Sequence, residues 1–191
     1  MQHDSDEAGL LGWVQLVPKA VRKQHDAFLA VDVGGSNIRC GIVEHRLGRA
    51  KSGAKARVIE HNEWRHADDD PKRSEAIARL AGMLNGLIAQ ARTTGLCLAP
   101  FVGIACPGEI LPDGGIAQGA QNLPGDWEVP FNLPAEVLAR LDPIDGAQPI
   151  VVLHNDAVVQ GLSECPRMEG TPRWGVLTIG TGLGNASFSE S

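Results

Sequence analysis

Residues 27–45, AFLAVDVGGSNIRCGIVEH, carry the reading that decides the fold. Phe28 to Val33 is an apolar run, and Ile38 to Val43 alternates around Arg39 and Gly41, so the stretch reads as strand, tight turn, strand. The turn is the informative part. Asp32 stands at the end of the first strand, followed by Gly34, Gly35 and Ser36. Glycines let backbone N–H groups approach phosphate oxygens with no Cβ in the way, and a nearby carboxylate can face Mg²⁺ directly or through a retained water. The competing reading is a plain hairpin whose glycine pair supplies positive φ. Ser36 has no base beside it in sequence, so contact with phosphate suits it better than nucleophilic attack.

A second stretch has the same form. LTIGTGLG, residues 177–184, runs an apolar strand into a Gly/Thr turn that presents N–H groups and the Thr181 hydroxyl. Such turns are common on their own; two of them can grip a polyphosphate from both sides. Neither is a P-loop, because the Gly-Lys-Ser/Thr ending is missing. In LHNDAVVQGLSE, residues 153–164, Asn155-Asp156 lies where a strand passes into a helix. Catalytic carboxylates of open α/β sheets gather at that position, and an Asp there can take the proton of an attacking alcohol. Asn-Asp at a helix start is also the ordinary N-cap pair. His154 reads as a hydrogen-bonded structural histidine, and His61 and His66 have no triad partners in view.

The rest of the chain gives an α/β alternation. DDDPKRSEAIARLAGMLNGLIAQAR is the clearest helix, with Asp70 expected as N-cap, Pro71 in the first turn and Gly95 as the stop. Ile77, Leu80, Ala81, Leu84, Leu87, Ile88 and Ala91 form its buried stripe, and Gly82 and Gly86 are expected to mark close packing. Further strands are expected over Ala56–Glu60 and in LAPFVGIAC, and a short helix over Pro134–Leu141. Residues 1–26 form a leader broken by Gly9, Gly12 and Pro18, whose Trp13, Val14, Leu16 and Val17 can dock on a surface. A domain over 27–165, a linker over 166–173 and the start of a second domain over 174–191 complete the division.

With 43% hydrophobic and 21% charged residues, the 191-residue chain can bury an ordinary core. A net charge of -6 without a basic block leaves no footprint for nucleic acid. Cys40, Cys97, Cys106 and Cys165 are scattered, which argues against a zinc site and a secreted disulfide framework. The N-terminus has neither the form of a signal peptide nor of a membrane span, and a cytoplasmic protein is the expectation.

Taken in order, five motifs resemble the ROK family of bacterial sugar kinases and repressors, its glucokinase-like members in particular. VDVGGSNIRCGIV is similar to the first phosphate motif, with Ser36 where Thr is usual; GIACPGEI to the Pro-Gly loop of the sugar pocket; NLPGDWEVPF to the Asn-Leu-Pro stretch; HNDAVVQGLSE to the segment with the catalytic Asp; and IGTGLG to the second phosphate motif. The resemblance implies a ribonuclease-H/actin-like fold, with a mixed sheet flanked by helices and a second domain that is incomplete here. It implies ATP-dependent phosphorylation of a hexose, with ATP and Mg²⁺ and no membrane or nucleic-acid partner. Asp156 would be the general base; Asn155, Gly108 and Asn122 would line the sugar pocket; Gly34, Gly35, Ser36, Thr181 and Gly182 would touch the phosphates; Asp32 would serve Mg²⁺.

The departures are as specific. GNASFSES, residues 184–191, replaces the glycine-rich continuation, and the later Glu and His of the sugar site, the cysteine-rich zinc motif and the adenosine-binding part are absent from this sequence. A strand after the linker is therefore expected to lack neighbours and to leave an open edge, which leaves room for a homo-oligomer. The alternative to a kinase is a catalytically silent, sugar-binding or partner-binding remnant. A repressor is disfavoured, because the leader before Ala27 is too short and acidic for a helix-turn-helix.

Overall fold

The structure, a computed structural model, describes residues 7–45 and 56–189. Strand β1 (Ala27–Val33) is buried along its whole length, as a central strand covered on both faces must be. It pairs antiparallel with β2 (Ile38–Glu44), which pairs antiparallel with the edge strand β3 (Arg57–Trp64). On its other side β1 runs parallel to β4 (Leu98–Cys106), which runs parallel to β5 (Ile150–Asn155), giving a mixed sheet of order β3-β2-β1-β4-β5. This is the mixed α/β sheet the sequence predicts.

Helices cover both faces. Besides α3 (Arg73–Thr94) they are α1 (Ala8–Leu11), α2 (Lys19–Gln24), α4 (Leu133–Leu138) and α5 (Asp156–Leu162). The predicted stripe of α3, from Ile77 to Ala91, is buried against Leu29, Val31 and Val33 of β1. The side chains of β1 alternate, so Phe28 and Ala30 face the opposite layer with Leu10, Trp13, Val14, Val17 and Val159. That layer is built largely from the leader. Residues 7–26 form α1, a 3-10 turn over Gly12–Gln15 and α2, and Trp13 is fully buried. Gly12 lies so close to α5 that a Cβ there would overlap the Val159 carbonyl, and a Cβ at Gly103 of β4 would enter the Trp13 ring. Among the described residues no helix is long and apolar enough to cross a membrane.

Several local expectations are corrected. Helix α3 begins at Arg73 with Lys72 as N-cap, the Lys72 N–H donating to Glu75 Oε2 at 2.9 Å. Asp70 cannot cap because it sits at φ 41, and Pro71 lies outside the helix. Gly82 and Gly86 face open space, so close packing does not explain them. Strand β3 runs on to Trp64, four residues beyond its expected end, because an edge strand needs no apolar alternation to pair. Helix α4 stops at Leu138, and Asn132 Oδ1 caps it by accepting from Ala135 N at 3.0 Å.

The last correction concerns residues 173–189. The strand after the linker does have a neighbour: β6 (Arg173–Ile179) pairs antiparallel with β7 (Leu183–Ser189), and the second predicted turn joins them. The hairpin lays one face on α5, where a Cβ at Gly161 would come within 2.5 Å of the Phe188 ring. Its other face leaves Leu177, Ile179 and Leu183 exposed.

Candidate functional site

In the parallel part of the sheet, Asp32 on β1 stands opposite Ala105 on β4, and Ala105 opposite His154 on β5. Two strand spacings, about 10 Å, therefore separate the backbones of Asp32 and His154. Asn155 and Asp156 follow at once, so all three predicted residues emerge along one sheet edge, at the carboxyl ends of the parallel strands. That edge is where open α/β sheets carry their ligands. The two carboxylates also act on one thiol at the end of β4. Burial drives the Cys106 thiol well above its usual pKa, and the charges of Asp156 and Asp32 push it further the same way.

Asp32 is only 8% exposed. Its carboxylate lies 3.8 Å from the Arg39 guanidinium, which is 3.0 Å from Glu63. Gly9 of α1 packs directly on it, since a Cβ there would lie 2.5 Å from the carboxylate carbon. Nothing in the sequence signals that contact. Among the described residues no three His, Cys, Asp or Glu side chains cluster as a metal cage. Mg²⁺ asks for less, being commonly held by one or two carboxylates with waters and substrate phosphates. A covered Asp32 fits the water-mediated version of that role.

Asp156 opens α5. Desolvation by burial raises its pKa above the ordinary Asp value, against the Ala157 N–H, which donates to Oδ1 at 2.8 Å and pulls the other way. The cap itself is made by Asn155, whose Oδ1 accepts from Val158 N at 3.1 Å. Capping thus falls to the Asn of the pair, and the Asp carboxylate takes backbone N–H groups of Ala157 and of its own residue. Asn155 Nδ2 donates to the Gly108 carbonyl at 2.9 Å, tying the Pro107-Gly108 loop to the start of α5. Gly108 takes φ 110, and a Cβ there would lie 2.6 Å from the Gln118 carbonyl oxygen, so the loop requires glycine. At His154 burial lowers the pKa, against a backbone hydrogen bond with Asn155 that raises it, and its buried Nδ1 has no side-chain partner among the described residues.

The two glycine turns meet. Ser36 Oγ and Thr181 Oγ1 share a hydrogen bond of 2.9 Å. A Cβ on Gly35 would stand 2.9 Å from Thr181 Cβ and 3.2 Å from Asn122 Cβ. Neither Gly34 nor Gly35 has positive φ, so the plain-hairpin reason for the pair fails and close approach is what needs Gly35. Asn122, expected in the sugar pocket, sits where the turns join, its Nδ2 3.7 Å from the Cβ position of Gly182. Gly34, Gly35, Ser36, Asn122, Thr181 and Gly182 are thus brought into one cluster, while Gly108 and Asn155 form a second around the start of α5.

No protein-family model matches the sequence, and no curated protein matches it. Solved structures do. A ROK-family glucokinase from Streptomyces griseus, in complex with glucose and AMPPNP, is 23% identical with TM-score 0.60, over 85% of this chain and 44% of that one. An inorganic polyphosphate/ATP-glucomannokinase from Arthrobacter sp. strain KM is 24% identical with TM-score 0.59, over 86% and 58%. A ROK-family transcriptional regulator, homologous to the E. coli MLC protein, is 18% identical with TM-score 0.59, over 84% and 36%. This chain therefore has the fold of one part of the ROK-family sugar kinases, a fold that regulators share, and it spans about half the length of the two kinases.

Proposed function

We propose that the chain belongs to an ATP-dependent sugar kinase and carries the half of its cleft that holds the base and the phosphate turns. The observation that supports this most is the convergence at one sheet edge: the strand register brings Asp32 and the start of α5 to the carboxyl ends of the parallel strands, and the two glycine turns touch through Ser36 and Thr181. In this reading, N–H groups of Gly35 and Gly182 with the hydroxyls of Ser36 and Thr181 receive ATP phosphate oxygens, while Gly34, whose N–H donates to Asn37 O at 2.8 Å, shapes the turn. Donors fixed before the charge moves stabilise it without reorganisation. Mg²⁺, arriving with the nucleotide and held through water by Asp32, would neutralise charge on the phosphates.

Asp156 is the general base. A hexose hydroxyl attacks the terminal phosphorus, its proton passes to the Asp156 carboxylate, and the bond to the ADP oxygen breaks. Burial makes the carboxylate a stronger base than an exposed Asp, which suits it to an alcohol proton. Asn155 and Gly108 hold the sugar side of the site, and Asn122 lies between sugar and phosphate. Asn155 already spends one donor and one acceptor inside the protein, which leaves one N–H and one lone pair for a hydroxyl.

A second reading, a silent sugar-binding or partner-binding chain, draws on the fold shared with a ROK-family transcriptional regulator. Calorimetric titration with MgATP and with glucose, followed by a coupled ADP-release assay, separates the two. ADP release that depends on both ligands supports the kinase; glucose binding without nucleotide binding supports the silent chain.

A further inference from the structure

The Gly34–Ser36 turn is held from behind by a segment that the sequence reading set aside. After β3 the chain makes a 3-10 turn over His66–Asp68, and His66 is 3% exposed. His66 Nε2 lies 2.9 Å from the Gly34 carbonyl oxygen. A carbonyl can only accept, so Nε2 carries the proton. The next residue repeats the contact: Ala67 N–H donates to the Ser36 carbonyl at 3.2 Å. The turn closes on itself through Gly34 N–H, which donates to Asn37 O at 2.8 Å. Among the described residues, the N–H groups of Gly35 and Ser36 make no hydrogen bond.

The clamp is itself braced. The Trp64 ring packs edge-on against His66, with centroids 5.8 Å apart, and its Nε1–H donates to Asp69 at 2.7 Å. Arg79 of α3 donates to the same Asp69 carboxylate at 2.8 Å, and its guanidinium lies 4.3 Å over a Trp64 ring. A ring fixed by α3 thus fixes the imidazole, and the imidazole fixes one peptide of the turn.

We propose that His66 is a positioning residue for the Gly34–Ser36 turn, holding the Gly34 carbonyl so that the N–H of Gly35, in the same peptide, is kept for the phosphate chain of a nucleoside triphosphate. The inference rests on the phosphate-binding reading of that turn. Peptide planes carry their N–H and C=O in opposite directions, so anchoring a carbonyl on one side aims the following N–H to the other. A turn left to itself would present a mixture of both groups to an anion. His66 pays no part in the chemistry and touches no reacting atom.

The test uses the whole chain and two probes, MgATP and inorganic tripolyphosphate, with glucose as the phosphate-free control. His66→Met fills the space without a donor, and His66→Gln keeps an N–H donor. His66→Met is expected to weaken both probes by about tenfold, the worth of one hydrogen bond to the turn, with glucose binding unchanged. His66→Gln is expected to stay within roughly threefold of wild type for both probes. A folded His66→Met that binds tripolyphosphate as wild type does overturns the role, as does equal weakening of glucose. The wild-type protein gives an independent readout should the variants not fold: nitrogen-detected imidazole NMR shows the Nε2–H tautomer if the clamp exists, and an Nδ1–H tautomer overturns it. Wild type that binds neither probe defeats the phosphate reading of the turn, and the role of His66 falls with it.

Discussion

Ser36 and Thr181 share a 2.9 Å hydrogen bond across 145 residues of sequence, one hydroxyl from the β1–β2 turn and one from the β6–β7 turn. Either oxygen can donate, and each keeps capacity for another partner. A phosphate oxygen arriving between them would accept from both hydroxyls at once. The pair is therefore a contact that an anion can replace with two better ones, because hydrogen bonds to a charged acceptor are the stronger kind.

Gly35 sets the spacing of that junction. A methyl group there would press on Thr181 and Asn122 together, at 2.9 and 3.2 Å. Gly35→Ala is expected to push the hairpin away from the first turn, weaken tripolyphosphate binding by about tenfold and cost about 1–3 kcal/mol of stability, the usual penalty for overpacking. Titration calorimetry and urea unfolding read the two effects. Unchanged affinity would mean that the two turns act separately.

Asp156→Asn keeps the size of the side chain and an oxygen for the Ala157 N–H while removing the base. Turnover with MgATP and glucose is expected to fall by about 10²-fold or more, the usual share of general base catalysis, with glucose affinity retained. A variant within about tenfold of wild type removes Asp156 from the base role.

The same substitution has a pH signature in stability. Burial raises the folded pKa of Asp156 above its unfolded value. The folded state then binds the proton more tightly, so this group's stabilising contribution is full below the unfolded pKa and is lost as pH rises through the folded one. Asp156→Asn is expected to melt higher than wild type at neutral pH, with the gap closing as pH falls through that window. Thermal melts followed by circular dichroism at a series of pH values measure it; a gap that widens toward acid contradicts the burial account.

The β1–turn–β2 unit and helix α3 were legible because each writes its burial into the sequence. Apolar residues recur at the period of the element, and Gly34-Gly35 and Gly95 punctuate them. Strand β7 was not legible, since its α5-facing residues Gly184, Ala186 and Phe188 include two with almost no side chain, where close approach replaces apolar bulk. The outer half of β3 escaped for a related reason: EHNEW is polar because the strand forms an edge. In the candidate site, Asp32, Asn155, Asp156 and the glycine turns stood out by residue type at strand ends. His66 did not, because a lone histidine in a charged loop carries no sign of the carbonyl it will meet 32 residues away in sequence.

Asn155 joins two parts of the site and its loss should be felt in both. It caps α5 through Val158 N and holds the Gly108 carbonyl. Asn155→Ala is expected to cost about 1–2 kcal/mol from the lost cap, and to weaken glucose binding as the Pro107-Gly108 loop comes loose. Asn155→Asp restores the cap oxygen without the donor to Gly108, so it should recover stability and leave glucose binding impaired. Urea unfolding with parallel glucose titration distinguishes the two jobs; recovery of both by Asp would assign Asn155 to capping alone.

The leader gives the sharpest packing prediction. Gly9 and Gly12 read as helix breakers in a segment able to dock on a surface, yet both are points of close backbone approach to the rest of the fold. Gly9 rests on the Asp32 carboxylate, and Gly12 on the Val159 carbonyl. The obstacle at Gly12 is backbone, which cannot rotate aside as a side chain can. Gly12→Ala must therefore separate the 3-10 turn from α5, uncovering Trp13, Val14 and Val17. Exposing even one large buried side chain costs about 1.5–3 kcal/mol, so a loss of at least about 3 kcal/mol is expected in urea unfolding. Trp13 fluorescence should shift to the red in the same variant, since its ring is fully buried in the wild type. Gly82→Ala, on the open face of α3, is the control and should stabilise the protein by up to about 1 kcal/mol. If Gly12→Ala unfolds at the wild-type urea concentration, the leader is not part of the core, and the shielding of Asp32 by Gly9 loses its support.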